Sequence, residues 1–204
     1  MIKNIVFDMG NVLLRFDPLL FLDRVGAAEA DRPLLLREVF RSLEWAQMDR
    51  GSLTDEEGAA SMCARIPARL QETVRQLVLC WDRPILEIEG SFELVRELRE
   101  LGYGIYLLSN ASVRQHVYWE RVRSKQYFDG TLISADVGLL KPQPEIFRLF
   151  FETFALRSEE CFFIDDSNYN IEAALRSGMS CALFHGDMGR IRAELREAGV
   201  PVSA

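Results

Sequence analysis

The sequence predicts an α/β protein with a doubly wound parallel sheet, into which a helical bundle is inserted after the first strand. Five short apolar segments, each suited to a buried strand of a parallel sheet, alternate with segments of helical periodicity. Between the first and second strands the periodicity stays helical from residue 16 to residue 84. Such alternation is typical of a parallel sheet that is covered by helices on both faces.

The first strand is the most informative of the five. Residues 5–7 form a partly β-branched apolar run that stops at Asp8, and Gly10 and Asn11 permit a sharp turn just beyond it. The other strands are predicted over residues 104–108, 131–134, 161–164 and 181–184. Core helices are predicted through residues 92–101, 113–122, 144–151, 171–177 and 190–198.

The helices of the insertion are predicted from their start signals. Asp17 followed by Pro18 indicates an N-cap with proline at the first helical position. Thr54 and Glu57 have the spacing of a capping box. We therefore predict an α/β catalytic core made of residues 1–15 and 85–204, and a helical cap domain made of residues 16–84.

Composition and charge narrow the classes of function. The 204 residues carry a formal net charge of −7, which argues against nucleic acid or an anionic membrane as the main partner, because both attract basic surfaces. No apolar run approaches the length of a membrane span, and residues 1–4 lead into a strand without a signal-peptide pattern. The four cysteines have neither metal-ligand nor disulfide spacing. We therefore expect a cytoplasmic protein with free thiols.

Polar residues follow three of the predicted strands at their carboxyl ends. They are Asp8, Ser109, Asn110, Asp165 and Asp166. Because the carboxyl ends of parallel strands share one edge of the sheet, we expect these side chains in a single cleft, together with Lys141 from a nearby loop. Three crowded acids need a cation, and their hard oxygen ligands suit Mg²⁺. Magnesium and lysine together attract a phosphate, so the constellation predicts phosphoryl transfer.

The same segments resemble a known family. The chain resembles the hydrolases of the haloacid dehalogenase (HAD) superfamily in four motifs, which are here Phe7–Val12, Leu108–Asn110, Lys141–Pro142 and Phe163–Asn170. The helical insertion between the first two motifs is similar to the cap of that superfamily. The motifs, with Arg50–Thr54 of the insertion, are also similar to the bacterial subgroup that includes α-D-glucose-1-phosphate phosphatases.

This resemblance implies catalytic roles for Asp8, Ser109 and Lys141, and a substrate-binding role for Asn110 as well as for Ser109 and Lys141. Asp8 is implied to be the nucleophile, which forms an aspartyl-phosphate. Ser109 and the backbone amide of Asn110 are implied to hold the transferring phosphate, and Lys141 to pair with both the phosphate and Asp8.

The resemblance also implies the ligands of one Mg²⁺ ion. Asp8 contributes a carboxylate oxygen, Gly10 its backbone carbonyl, and Asp166 the main acidic ligand of the fourth motif. Asp165 is implied to be a second ligand or to act through water.

One departure from the family pattern concerns proton transfer. Most phosphatases of the superfamily have a second aspartate two residues after the nucleophile, which protonates the leaving oxygen, whereas this chain has Gly10 there. Loss of a general acid and base typically costs about 10²–10⁴-fold in rate. The enzyme can tolerate this loss if another group substitutes, if water does the work, or if the substrate has a good leaving group. Asp17 is a candidate replacement, although a helix N-cap is the favoured interpretation of this residue. Asp49 and Arg50 of the cap loop can face the cleft, but solvated loop charges are the favoured interpretation of both residues.

Three hypotheses for the function follow. The leading one is a Mg²⁺-dependent phosphatase that acts on a small phosphorylated metabolite, preferably a sugar phosphate, and that works as a monomer or homodimer. The second is a 2-haloacid dehalogenase, which the paired acids Asp165 and Asp166 disfavour because that reaction needs no magnesium. The third is a binding or regulatory protein for a phosphorylated ligand, with weak activity because of Gly10. A phosphomutase is conceivable, but the missing acid makes it harder.

Overall fold

The computed structural model describes residues 1–203 and places five parallel strands in one sheet. The strands are β1 (Asn4–Phe7), β2 (Gly104–Ser109), β3 (Gly130–Ile133), β4 (Cys161–Asp165) and β5 (Ser180–Leu183). Their order is β3-β2-β1-β4-β5, so the chain builds first on one side of β1 and then on the other. The predicted doubly wound parallel sheet is confirmed.

The central strand β1 sets the position of the site. Three of its four residues are fully buried, as expected for a strand with neighbours on both sides and helices on both faces. In register, Phe7 lies opposite Leu107 of β2 and Ile164 of β4. The next residues along the chain, which include Asp8 and Asp165, therefore emerge at one common edge.

The insertion between β1 and β2 is helical. Its α-helices are α1 (Pro18–Arg24), α2 (Arg32–Leu35), α3 (Leu43–Asp49), α4 (Asp55–Ala64) and α5 (Gln71–Leu79). Both predicted caps are present: Asp17 accepts the first backbone N–H groups of α1, and Thr54 and Glu57 form the capping box of α4. The helices bury an apolar cluster of their own, with Leu22, Leu35, Met62, Val74 and Leu77 among its members.

The remaining helices flank the sheet. They are α6 (Ser91–Glu100), α7 (Gln115–Trp119), α8 (Ser134–Val137), α9 (Pro144–Phe154), α10 (Asn168–Arg176) and α11 (Met188–Glu197). The helix predicted over residues 113–122 is shorter, and Ser134, predicted to end a strand, instead begins α8. Within residues 1–203, none of the helices combines the length and the apolar character needed to cross a membrane.

Strand alternation distributes the core over the two faces of the sheet. Ile5 and Phe7 point into the cluster on one face, and Val6 points into the cluster on the other. The second cluster contains the phenylalanines Phe147 and Phe150 of α9. Both faces of β1 are therefore packed, and its carboxyl end is held rigidly.

Candidate active site

A buried lysine joins two of the strand-end acids. Lys141 Nζ donates hydrogen bonds to Asp8 Oδ1 at 2.8 Å, to Asp165 Oδ2 at 2.7 Å and to the backbone carbonyl of Leu108 at 2.8 Å. An ammonium group has three N–H donors, so all of them are used by residues at the ends of β1, β2 and β4. Asp165 is fully buried, and Asp8 and Lys141 are nearly so. The structure thus brings these three predicted residues together.

Asn110 fixes the loop that carries Lys141. Its side-chain amide donates to the backbone carbonyl of Lys141 at 2.9 Å, and its Oδ1 accepts the Lys141 backbone N–H at 2.8 Å. This reciprocal pair occupies the Asn110 side chain. The backbone amide is therefore the group of Asn110 for which phosphate binding remains a prediction.

The Asp165 carboxylate is held by its own loop. Asp165 Oδ1 accepts the backbone N–H of Ser167 at 2.8 Å, and Asn170 Nδ2 donates to both carboxylate oxygens at 3.0 Å. Together with the bond from Lys141, these contacts engage both oxygens of Asp165. The residue therefore orients the lysine, whereas Asp166, which is exposed, is the freer of the two acids.

Three carboxylates at this edge are placed to hold a cation. One oxygen from each of Asp8, Asp165 and Asp166 lies within 4.8 Å of the others. Asp166 Oδ2 accepts a bond from Asn11 Nδ2 at 3.2 Å, and Gly10 lines the same pocket as Asp8 and Asp166. The donor set is oxygen only, which fits Mg²⁺ and not a thiolate-binding metal.

Electrostatics at the site favour the binding of a cation. Burial raises the pKa of the Asp8 carboxyl to about 7; Lys141 opposes this shift, and Asp165 and Asp166 add to it. Burial is also the main reason that the pKa of Asp166 is raised. The two acids raise the pKa of Lys141 although burial opposes the change. One ammonium does not neutralise three carboxylates, so a divalent cation would stabilise their ionised forms.

Ser109 ends β2 beside this centre. Its side chain is buried, and its hydroxyl oxygen has no hydrogen-bond partner among the described residues. A buried hydroxyl without a partner costs roughly 1–3 kcal/mol. An oxyanion such as a phosphate oxygen would satisfy this group, as the predicted role of Ser109 requires, but Ser109 is not among the residues that line the pocket beside Asn110.

A pocket of about 210 Å³ lies between the sheet edge and the helical insertion. Its floor includes Asp8, Gly10, Asn110, Lys141 and Asp166. Its upper wall is mostly apolar and aromatic, with Phe16, Trp45, Met48, Trp81 and Tyr118 among the lining residues. Two further acids, Asp49 of α3 and Asp55 of α4, also line it. The pocket is therefore lined on one side by the predicted phosphate site and on the other by apolar and aromatic residues that were not predicted from the sequence.

Asp49 corrects one expectation from the sequence. It was expected to be a solvated loop charge, but it is the last residue of α3 and lines the pocket. Arg50 does behave as an exposed residue, with its Nε donating to the backbone carbonyl of Gly138 at 3.2 Å. Asp17 lies outside the residues that line the pocket and caps α1, as its favoured interpretation predicted. Periodicity could not reveal Asp49, because its orientation depends on contacts with the core.

The end of α3 is attached to the core next to the loop that follows β2. Ser134 Oγ donates to the backbone carbonyl of Asp49 and accepts the backbone N–H of Ala111. Gly51, at φ +76°, approaches so closely that a Cβ atom there would lie 2.1 Å from the carbonyl oxygen of Ala135. These contacts set how the insertion covers the pocket.

We predict that Gly51→Ala displaces this contact and lowers the catalytic efficiency. The added Cβ cannot coexist with the Ala135 carbonyl, so the end of α3 must move away from the core. Gly26→Ala is the matched control, because Gly26 also has a positive φ, of +65°, but open space around its Cβ position. Both variants cost about 1–2 kcal/mol of backbone strain. A kcat/KM that falls equally in the two variants would contradict the proposed role of the contact.

The fold and the acid–lysine centre together define a class of protein. Its members have an α/β core, an aspartate at the end of the first strand and a helical insertion over the site. The chain matches the haloacid dehalogenase-like hydrolase family over residues 2–178. It therefore belongs to this family, and the superfamily resemblance of its four motifs is confirmed.

Curated relatives include several phosphatases. The chain is 26% identical over 187 residues to a sesquiterpene phosphatase of Aspergillus oryzae, covering 87% of each protein. It is 27% identical over 192 residues to a D-ribitol-5-phosphate phosphatase of Bacteroides thetaiotaomicron, covering 87% of this chain and 89% of that protein. A drimenol cyclase of Aspergillus calidoustus is 26% identical over 91% of this chain, which spans 34% of that protein's length. The prediction of an enzyme of the HAD phosphatase type is confirmed, whereas the glucose-1-phosphate subgroup stays a prediction.

Solved structures with the same fold include a HAD family enzyme from Bacteroides thetaiotaomicron in complex with magnesium and inorganic phosphate. It superimposes with a TM-score of 0.70 at 24% identity and covers 94% of this chain and 99% of its own. At this level of identity the likeness concerns the fold.

Proposed function

We propose that this protein is a Mg²⁺-dependent phosphatase that hydrolyses a small phosphorylated metabolite through an aspartyl-phosphate intermediate. The observation that carries the proposal is the centre formed by Asp8, Lys141 and Asp165, with Asp166 beside it at the same edge of the sheet. A nucleophilic carboxylate, a fixed cation and an oxygen-ligand site are the parts that phosphoryl transfer requires.

Each residue contributes a defined step. Asp8 attacks the phosphorus in line with the leaving oxygen, and Lys141 holds the attacking carboxylate in place through its 2.8 Å bond. Ser109 and the backbone amide of Asn110 donate to the phosphoryl oxygens, where negative charge must be stabilised. Water then attacks the phosphorus of the aspartyl-phosphate, which releases inorganic phosphate and restores Asp8.

Asp8, Asp166 and the Gly10 carbonyl are the groups that would hold the Mg²⁺ ion, with Asp165 as a buried partner. A magnesium ion supplies charge neutralisation and orientation of the phosphate. The neighbour of known structure that is in complex with magnesium and inorganic phosphate supports the choice of the ion, and the ligand residues are proposed from this chain alone.

The helical insertion is proposed to act as a cap of residues 16–84 over a core of residues 1–15 and 85–204. Its support is the pocket between the two parts and the attachment of α3 to the core at Ser134. Closure of such a cap excludes water from the reacting groups. The monomeric or homodimeric state and the cytoplasmic location stay predictions.

The substrate class is proposed from the pocket and the relatives. The sugar phosphate predicted from the sequence is supported by Asp49 and Asp55, which can accept hydrogen bonds from hydroxyl groups, and by the ribitol-5-phosphate phosphatase. The aromatic wall formed by Phe16, Trp45 and Trp81 favours an apolar group instead, as does the sesquiterpene phosphatase. A panel of polyol, sugar, prenyl and aryl phosphates separates these preferences by kcat/KM.

We predict that activity depends on Mg²⁺ and on Asp166. Chelation of the metal should lower kcat by about 10²-fold or more, because a bound ion contributes several kcal/mol to the transition state. Asp166→Asn should raise the Mg²⁺ concentration that gives half-maximal phosphate release. Asp23→Asn, which changes an exposed acid of the insertion, is the control and should leave that concentration unchanged.

Either of two outcomes would count against the proposal. Turnover that is unaffected by chelation would remove the metal from it. Tight binding of phosphorylated metabolites without measurable turnover would instead support the hypothesis of a binding or regulatory protein.

A further inference from the structure

A proton donor for the leaving group is missing from the first motif. When the P–O bond of an alkyl ester breaks, the departing alkoxide needs a proton, and Gly10 has no side chain to supply one. A Cβ atom at Gly10 would find nothing nearer than Phe16 Cβ at 4.0 Å. The space beside the nucleophile is therefore open to a group from elsewhere in the chain.

Asp49 of the helical insertion is a candidate for this group. It lines the same pocket as Asp8 and Gly10. Its backbone carbonyl is fixed to the core by Ser134, and Gly51 packs on Ala135 two residues later. The main chain at Asp49 is thus anchored to the core beside the pocket, whereas Asp17, the other candidate, does not line the pocket.

The surroundings of Asp49 favour its protonated form. Burial raises its pKa to about 8, the Asp55 and Asp8 carboxylates add to the shift, and the backbone N–H of Ser112 opposes it. Among the described residues, no lysine or arginine contributes to the shift. Tyr118, which faces it from α7, stays a neutral hydroxyl because burial and these acids raise its pKa well above the usual value. These surroundings therefore favour the protonated form of Asp49, which is the form that a general acid needs.

We propose that Asp49 is the general acid of this enzyme and replaces the aspartate that is absent at Gly10. This inference rests on the proposed phosphatase function. As the bond from Asp8 to phosphorus forms and the bond from phosphorus to the leaving oxygen breaks, the proton of Asp49 passes to that oxygen and the alcohol departs. The Asp49 carboxylate then accepts a proton from the water that attacks the aspartyl-phosphate, so both carboxyl groups return to their starting states.

The test compares two esters that differ in their need for a proton. A phosphate ester of a primary alcohol has a poor leaving group, whereas a nitrophenyl phosphate releases a phenolate that departs without protonation. Asp49→Asn should lower kcat/KM for the alkyl ester by about 10²–10⁴-fold and leave kcat/KM for the nitrophenyl ester within about tenfold of wild type, because kcat/KM reports only the steps up to departure of the leaving group and not the later hydrolysis of the aspartyl-phosphate. Asp49→Glu should recover part of the alkyl-ester rate. Asp17→Asn keeps a good N-cap and should change neither rate.

A pH profile gives a second measure. An acid with a raised pKa donates only while protonated, so kcat/KM of the wild type for the alkyl ester should fall as the pH rises through about 8. Asp49→Asn should lack this descending limb. The limb belongs to Asp49 and not to Asp8, which must be ionised to attack.

The outcomes are separable. If the wild type hydrolyses neither ester, both the proposed function and this inference are overturned. If the wild type is active and Asp49→Asn lowers kcat/KM for both esters equally, or for neither, the inference alone is overturned.

Discussion

Replacement of Asp8 by asparagine is expected to lower kcat for every phosphate ester by about 10⁴-fold or more, because removal of a covalent nucleophile disables both chemical steps. The amide keeps the shape of the side chain but cannot form the aspartyl-phosphate. Phosphate release in the presence of Mg²⁺ measures the effect. Turnover within tenfold of wild type would remove Asp8 from the mechanism.

Thermal unfolding of the Asp8→Asn variant without Mg²⁺ tests whether the loss of activity is chemical or comes from unfolding. An ordinary aspartate ionises near pH 4 when unfolded, whereas burial raises the pKa of Asp8 to about 7 in the folded protein. Between these values the folded state binds more protons, so the contribution of Asp8 to stability falls as the pH rises. Asparagine at position 8 does not ionise, so it does not lose stability in this way. The variant should therefore melt at or above the wild-type temperature at pH 8. A lower melting temperature there would attribute the lost activity to unfolding.

Replacement of Lys141 by methionine is expected to have the largest effect on stability. Its ammonium is buried and bonded to two buried carboxylates, Asp8 and Asp165. Removal of the cation leaves their charges unpaired, which costs about 3–5 kcal/mol when a buried pair is broken. For a chain of this size the melting temperature should fall by roughly 10 °C. Activity should also be lost, because nothing then orients Asp8.

The matched control is Lys3→Met. Lys3 pairs with Glu160 at 2.7 Å, but 62% of its side chain is exposed, so its removal should cost only about 0–1 kcal/mol. Adding Asp165→Asn to Lys141→Met should recover part of the stability, since it removes one unpaired charge. Equal melting temperatures for Lys3→Met and Lys141→Met would contradict the described role of the buried centre.

Because Gly10 provides no proton donor, the donor of the proposed mechanism lies on the helical insertion and not on the first-motif loop. A proton donor on the first-motif loop is fixed whatever the insertion does, whereas a donor on α3 reaches the substrate only while Gly51 packs against Ala135. In the proposed mechanism, chemistry on alkyl esters is thereby coupled to cap closure. Gly51→Ala should consequently affect alkyl esters more than nitrophenyl phosphate.

Local signals were sufficient for the sheet and for much of the site. A run such as residues 5–7 is predicted to be a buried strand because its periodicity and β-branching act over a few residues. Parallel strands share an edge, so the meeting of Asp8, Asp165 and Lys141 could also be anticipated. The caps at Asp17 and Thr54 were predicted for the same reason, since a cap depends on three or four neighbouring residues.

The sequence by itself determined the doubly wound sheet, the helical insertion and the acids at the strand ends, because each follows from short-range patterns and one topological rule. Only the tertiary structure decided what the insertion presents to those acids. The inward position of Asp49 depends on the packing of α3 on α8, through Ser134 and the close approach of Gly51 to Ala135. Such contacts join residues more than eighty positions apart in the chain, and no local periodicity encodes them.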